Sequence, residues 1–98
     1  MIIGSKTEAI WKFTFPIDDE FELLLPKHAR VLHADMQDGI SVLWAIVDPS
    51  QPRMPRRFAI RGTGHDLPDS RNRLYISTFQ APPFVWHLFE ITTQKEKE

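Results

Sequence analysis

The residues with the clearest chemical potential lie in one segment of the chain. Six of the seven arginines fall between residues 53 and 73, where only two acidic residues accompany them, so the segment has a balance of +4. A guanidinium group is planar and offers paired N–H donors, which match the oxygens of phosphate and carboxylate groups. The segment therefore predicts an anion-binding surface. Solvated charge on exposed strands and loops would explain the same composition.

A glycine-containing motif, Gly62-Thr63-Gly64-His65, lies inside this segment. Two glycines around a threonine allow backbone N–H groups to converge on an anion. A tight turn whose glycines supply positive φ explains the motif equally well. No helical pattern follows it, so a helix dipole would not assist phosphate binding. The candidate ligand-binding residues are Arg57, Arg61, Gly62, Thr63, Gly64, His65, Arg71 and Arg73.

Catalytic and metal-binding patterns are weak in this sequence. The chain has no cysteine, which excludes disulfides, thiolate nucleophiles and thiolate zinc sites. His65-Asp66 is the one pair that resembles a general base beside a carboxylate, but adjacent residues seldom orient each other, and the sequence positions no Ser or Thr nucleophile. His87 is interpreted as a hydrogen-bonded sheet residue. We therefore assign no catalytic residue, no metal ligand and no cofactor. The histidines, none of them at metal-ligand spacing from another, are His28, His33, His65 and His87.

Hydrophobic periodicity indicates which elements must position these residues. Apolar and polar residues alternate with a period of two, and the chain contains eight prolines but no helical repeat over three turns. The pattern predicts an all-β fold of about seven short strands, in a β-sandwich or a partly open barrel with little or no helix. One domain is expected, with an ordered core at about 7–91 and a flexible charged tail at 92–98. The predicted strands are 10–15, 21–25, 30–37, 40–48, 56–61, 74–80 and 84–91, and the long predicted loops are 49–55 and 62–70.

The strongest local signal is Asp38-Gly39, which is typical of a two-residue hairpin turn. A two-residue turn places His33 directly opposite Trp44 and Val31 beside Ile46. Cross-strand partners on one face lie about 5 Å apart, so His33 and Trp44 are in side-chain contact and are candidates for stacking on a ligand. A change of one residue in the loop would reverse the faces.

Charge and hydropathy restrict the partners. The net charge of −1 differs from the strongly basic balance of nucleic-acid-binding domains, so nucleic acid is not expected to be the main partner. No apolar run approaches the roughly 20 residues of a membrane span, and the first residues lack a signal-peptide pattern. We expect a protein of the bacterial host cytoplasm with no membrane contact. Short strands leave open edges, which favours a homodimer or higher oligomer.

Several motifs along the chain resemble a family of small phage and prophage proteins of about 100 residues. The match covers roughly residues 9–90, and the motifs occur in family order. The family is described by a domain of unknown function, so the resemblance implies no catalytic residue. The loop at 49–55 and the charged tail depart from the family pattern. The motifs that carry the resemblance are LWAIVDP at 43–49, GTGH at 62–65, TFQ at 78–80 and VWHLFE at 85–90.

Three classes of function remain open. The first is a non-catalytic accessory module that captures a small anionic, nucleotide-like ligand through the Arg/Gly-rich loop. The second is a protein-interaction module that inhibits a host defence or regulatory protein. The third, which the sequence supports least, is a small phosphodiesterase-type hydrolase. A ligand-binding module needs a concave pocket where arginines and aromatic rings converge, whereas an interaction module needs an exposed apolar patch or an open sheet edge.

Overall fold

A computed structural model describes residues 7–92 and contains seven strands in two antiparallel sheets. The predicted all-β class is confirmed, and one 3₁₀ turn, Ser70–Asn72, is the only helical element among the described residues. Residues 93–98 of the predicted tail lie outside the described residues, which contain no helix long and apolar enough to cross a membrane. The strands are β1 Ala9–Thr14, β2 Glu20–Pro26, β3 Arg30–Gln37, β4 Ile40–Val47, β5 Arg53–Gly62, β6 Arg73–Ala81 and β7 Phe84–Ile91.

The two sheets form a sandwich-like arrangement around one core. One sheet has the strand order β1-β4-β3 and the other β2-β5-β7-β6, and no backbone ladder joins the two sheets within residues 7–92. Each sheet buries one face because its strands alternate apolar and polar side chains. The fully buried core side chains include Leu25, Leu43, Val47, Phe58 and Leu88.

The hairpin between β3 and β4 follows the prediction at its turn. Asp38 and Gly39 have φ values of 52° and 79°, and a type I′ turn requires positive φ at both positions. His33 pairs with Trp44 across the ladder, and their rings are nearly parallel, with an interplanar angle of 10° and centroids 6.2 Å apart. The predicted contact between these two side chains is confirmed.

The predicted register fails beyond His33. A β-bulge lies between Val31 and His33, so Leu32 is an extra residue on β3. As a result Val31 pairs with Ala45, and the predicted pairing with Ile46 is wrong. The two-residue turn fixes the register only as far as the bulge.

The predicted loop at 49–55 is too long, because β5 begins at Arg53. Residues 53–56 pair with β2 but not with β7, whose ladder with β5 begins at Arg57. This part of β5 therefore has a neighbour on one side only, where Pro55 can be accommodated without the backbone N–H that a central strand needs.

Candidate functional site

The Gly62–His65 segment forms a tight turn at the end of β5, which we call the turn site. The His65 N–H donates to the Gly62 carbonyl across 3.0 Å, and Gly64 has a φ of +93°. A type II turn requires positive φ at its third residue, which suits glycine. A Cβ on Gly62 would lie 3.0 Å from the His65 ring and 3.3 Å from Trp86. The tight-turn explanation therefore accounts for both glycines.

The same turn fixes the orientation of the His65 imidazole. Its Nδ1 accepts a hydrogen bond from the Gly62 N–H across 3.1 Å. In the neutral ring the proton therefore resides on Nε2, which leaves a donor on the side away from the backbone. The turn presents His65 in one tautomer.

A chain of hydrogen bonds connects the turn site to the exposed side of β6 and β7. The Thr63 hydroxyl lies 2.9 Å from His87 Nε2, and His87 Nδ1 lies 3.0 Å from the Thr78 hydroxyl. The Thr78 hydroxyl in turn lies 2.7 Å from the Tyr75 hydroxyl. Both ring nitrogens of His87 are bonded, which confirms its interpretation as a hydrogen-bonded sheet residue.

These hydrogen bonds place the Thr63 hydroxyl beside the His87 imidazole, as in the nucleophile–base pair of a catalytic site. The group on the other side of the imidazole is not the one that catalysis usually employs. A catalytic base is normally oriented by a further hydrogen-bonded partner, commonly a carboxylate. Here Thr78 occupies that position, and within residues 7–92 no carboxylate bonds to the His65 or His87 ring. Within residues 7–92 the adjacent His65 and Asp66 side chains are not bonded to each other, and His65 Nδ1 accepts from the Gly62 N–H instead. The geometry suits hydrogen bonding to a ligand better than general-base catalysis.

Among the predicted anion-binding arginines, Arg61 makes the most side-chain hydrogen bonds within the protein. Its side chain is 18% exposed, and its guanidinium donates to the carbonyls of Asp66, Asp19 and Ile60 across 2.9, 2.7 and 3.0 Å. The guanidinium is therefore occupied by the fold, because the carbonyls of two loops accept its hydrogen bonds. Arg61 holds the turn site in position.

The other predicted arginines also have intramolecular partners. Arg57 lies 2.8 Å from Glu20, with both side chains about half exposed, and Arg71 lies 2.9 Å from Asp69. The hydrogen bonds and charge of Arg71 lower the pKa of Asp69 to about 2. Arg73 donates to the Pro68 carbonyl and lies 5.9 Å from the centroid of the Phe89 ring. Within residues 7–92, Arg30 is the one arginine with no ion pair, side-chain hydrogen bond or ring contact.

Two shallow cavities flank the turn site. One, of about 300 Å³, is bordered by Trp86 and Phe84, and the other, of about 280 Å³, is bordered by His87 and Phe89. They share lining residues from the turn, among them Thr63 and His65, and no arginine lines either of them. The structure thus brings Gly62–His65 together with aromatic rings and imidazoles. Arg57, Arg61, Arg71 and Arg73 lie outside both cavities.

Residues 6–98 match the family model described as a domain of unknown function, DUF7352. The chain belongs to this family. No curated protein and no solved structure is significantly similar to the chain. Membership in DUF7352 confirms the expected relationship to an uncharacterised domain family.

Two further observations delimit the site in this DUF7352 domain. The predicted stacking residues His33 and Trp44 lie in the three-stranded sheet, whereas the turn site belongs to the four-stranded sheet. They stack on each other. The described residues contain no group of three or more His, Asp or Glu that could hold a metal ion.

Sequence reasoning missed the partnership of Thr63 with His87. These residues are 24 positions apart and meet because β7 runs beside β5, where Arg61 pairs with His87. The alternation in β7 showed which residues share a face with His87, but nothing local indicated which strand would lie beside it. To predict the contact between Thr63 and His87, one would have needed to know that β5 and β7 are neighbours in the sheet.

Proposed function

We propose that this protein is a non-catalytic binding module that holds a small nucleotide-like ligand against the turn site. The supporting observation is the pair of cavities on either side of Gly62–His65, which share Thr63 and His65 and carry aromatic rings on their walls. We also propose that it is a phage or prophage accessory protein of the host cytoplasm. The motif resemblance and the absence of cysteine support that role.

The cavity walls offer the contacts that a nucleobase uses. Phe84 is 56% exposed, and its ring centroid lies 5.3 Å from that of Trp86. Exposed aromatic faces stack on bases without strong sequence preference. His65 Nε2–H and the Thr63 hydroxyl add polar groups at the edge of the same cavity. A planar ligand with hydrogen-bonding edges fits this combination.

The arginines lie outside both cavities, so an anionic group on the ligand would have to extend beyond the cavities to reach the more exposed ones. The Arg71 side chain is 85% exposed and that of Arg57 is 49% exposed. Exposed ion pairs contribute only about 0–1 kcal/mol, so a phosphate can replace the carboxylate partner at small cost. Arg61 and Arg73 act as positioning residues, because they bind carbonyls of the loop that follows β5.

A thermal-shift screen of mononucleotides, dinucleotides and cyclic nucleotides tests the proposal. Ligand at a hundred times its dissociation constant stabilises the folded state by about 2.7 kcal/mol, and each kcal/mol moves the midpoint of a domain this size by about 4–8 °C. Thr63→Val removes the hydroxyl beside His87 and should reduce the shift. Thr14→Val, on β1, is the matched control and should retain it. A flat screen of the wild type would contradict the proposal.

The second candidate function is protein interaction, through inhibition of a host defence or regulatory protein. It is favoured by the free edges of β1 and β2, each of which has one ladder neighbour in its sheet, whereas the edge strands β3 and β6 contact each other. Edges of this kind also support the proposed homodimer or higher oligomer. Light scattering at high protein concentration tests the oligomer, and a monomer would contradict it.

A further inference from the structure

The two sheets meet along a seam between the edge strands β3 and β6. One side chain bridges them: the Ser77 hydroxyl accepts from the Ala34 N–H across 3.3 Å and donates to the Ala34 carbonyl across 2.8 Å. Ser77 is 3% exposed. A buried hydroxyl here takes the place of a backbone ladder, and the strands separate toward Arg30 and Leu74.

Both strands carry a bulge at the place where they separate. The register of β3 shifts between Val31 and His33, and that of β6 shifts between Tyr75 and Ser77. Bulges interrupt pairing and redirect side chains, and they are common beside functional sites. The two bulges lie on opposite sides of a cleft of about 430 Å³, which we call the seam cleft.

The seam cleft collects exposed apolar side chains. Leu32 and Leu74 line it and are 39% and 58% exposed, and the partly buried Val31 and Ile76 also line it. Single exposed apolar residues are ordinary, but several around one concavity mark an interaction site.

Three charged side chains line the seam cleft: Arg56 and Glu90, which form an ion pair, and Arg30. Arg56 binds Glu90 in a bidentate ion pair, with N–O distances of 2.7 and 2.8 Å, and both side chains are less than a quarter exposed. Arg30 also lines the cleft, and within residues 7–92 it has no partner of its own. The cleft therefore carries one available positive charge, since Glu90 is neutralised by Arg56.

We propose that the seam cleft binds an extended peptide segment in which a carboxylate adjoins an aliphatic side chain. The free edge of a strand pairs with an added peptide strand through backbone hydrogen bonds, and pockets for alternate side chains supply specificity. The Arg30 guanidinium binds the carboxylate, and the wall formed by Leu32 and Leu74 contacts the aliphatic group. The site refines the protein-interaction candidate and does not depend on a ligand at the turn site.

Nuclear magnetic resonance titration of the ¹⁵N-labelled protein tests this site directly. The probe is the pentapeptide acetyl-Thr-Val-Thr-Val-Leu with a free C-terminal carboxylate, compared with its C-terminal amide. We expect amide shifts at residues 30–32 and 74–76, with about tenfold weaker binding for the amide, because the charged contact to Arg30 is lost. An amidated peptide with Glu at its fourth residue shows whether a side-chain carboxylate serves equally.

Matched variants separate this site from a general charge effect. Arg30→Gln should weaken binding of the free-acid peptide about tenfold, whereas Arg71→Gln, at an 85% exposed arginine outside the cleft, should leave it unchanged. Equal affinity for acid and amide, unchanged binding to Arg30→Gln, or shifts confined to other residues would overturn the proposal. A nucleotide that shifts residues 62–65 but not 30–32 supports the turn-site ligand without bearing on the peptide.

Discussion

The turn site and the seam cleft use arginine in opposite ways. Around the turn site, arginines are abundant but engaged: Arg61 donates to three carbonyls, and Arg73 donates to another. At the seam cleft there are two arginines, of which Arg56 is paired with Glu90 and Arg30 has no partner within residues 7–92. The number of cations in a segment therefore does not measure its capacity to bind an anion.

The two regions differ in how many backbone carbonyls lack a ladder hydrogen bond near their arginines. The connection from Gly62 to Arg73 contains few ladder hydrogen bonds, so its carbonyls need other donors, and a guanidinium offers five. Arg30 lies in a strand whose carbonyls bond to β4 on one side and face the cleft on the other. Arg61 and Arg73, on the strands that flank this connection, serve the fold, and Arg30 at the cleft remains available for a ligand.

The largest effect is expected from breaking the ion pair beneath the seam cleft. Arg56→Met leaves the Glu90 carboxylate, whose side chain is 13% exposed, without its cation. Removing one member of a buried pair costs about 3–5 kcal/mol, and partial exposure places this pair toward the lower end. Urea denaturation should show the loss. The double variant Arg56→Met/Glu90→Leu should recover part of it, since the Ala29 carbonyl still lacks the Arg56 donor, and a double variant no more stable than the single would contradict this account.

A smaller effect is expected at Arg61, near the end of β5. Arg61→Met removes charged hydrogen bonds to the carbonyls of Asp19 and Asp66 and should destabilise the fold by about 1.5–3 kcal/mol. Arg71→Met is the matched control, since that side chain is 85% exposed, and its effect should stay within about 0.5 kcal/mol. Thermal denaturation measures both. Similar midpoints for the two variants would show that Arg61 does not position the turn site.

The smallest effect concerns Asp69, whose carboxylate accepts from the Arg71 backbone and side chain. Its pKa is about 2 in the folded protein, below the ordinary value of 3.8. A lowered pKa means that the stabilising contact is complete above about pH 4 and is lost as the pH falls through about 2. A carboxyl ¹³C titration should report the low pKa, and Arg71→Gln should raise it. An unchanged value in that variant would exclude Arg71 as the cause.

Much of the fold followed from local patterns. Alternation in β1 and the Asp38-Gly39 turn predicted strand positions and the pairing of His33 with Trp44, because both signals depend on residues close in sequence. The bulge at Leu32 was not predictable, since no local residue type demands it. The start of β5 at Arg53 was hidden by Pro55, which a strand with one neighbour tolerates.

The candidate site was predictable in part. The motif 62–65 indicated a glycine turn, and the turn is present at that position. The partners of the turn residues were not predictable, because His87 and Trp86 come from a strand more than twenty positions away. The roles of Arg61 and Arg73 depend on where loop carbonyls point, and no composition argument contains that information.

The sequence by itself determined the all-β class, the hairpin turn and the place of the glycine turn, because periodicity and turn chemistry act between near neighbours. The tertiary structure alone decided which arginines are free, since a guanidinium binds whichever carbonyl or carboxylate the folded chain brings within reach. It also decided that β3 and β6 separate beyond Ser77, and hence that a cleft exists beside Arg30.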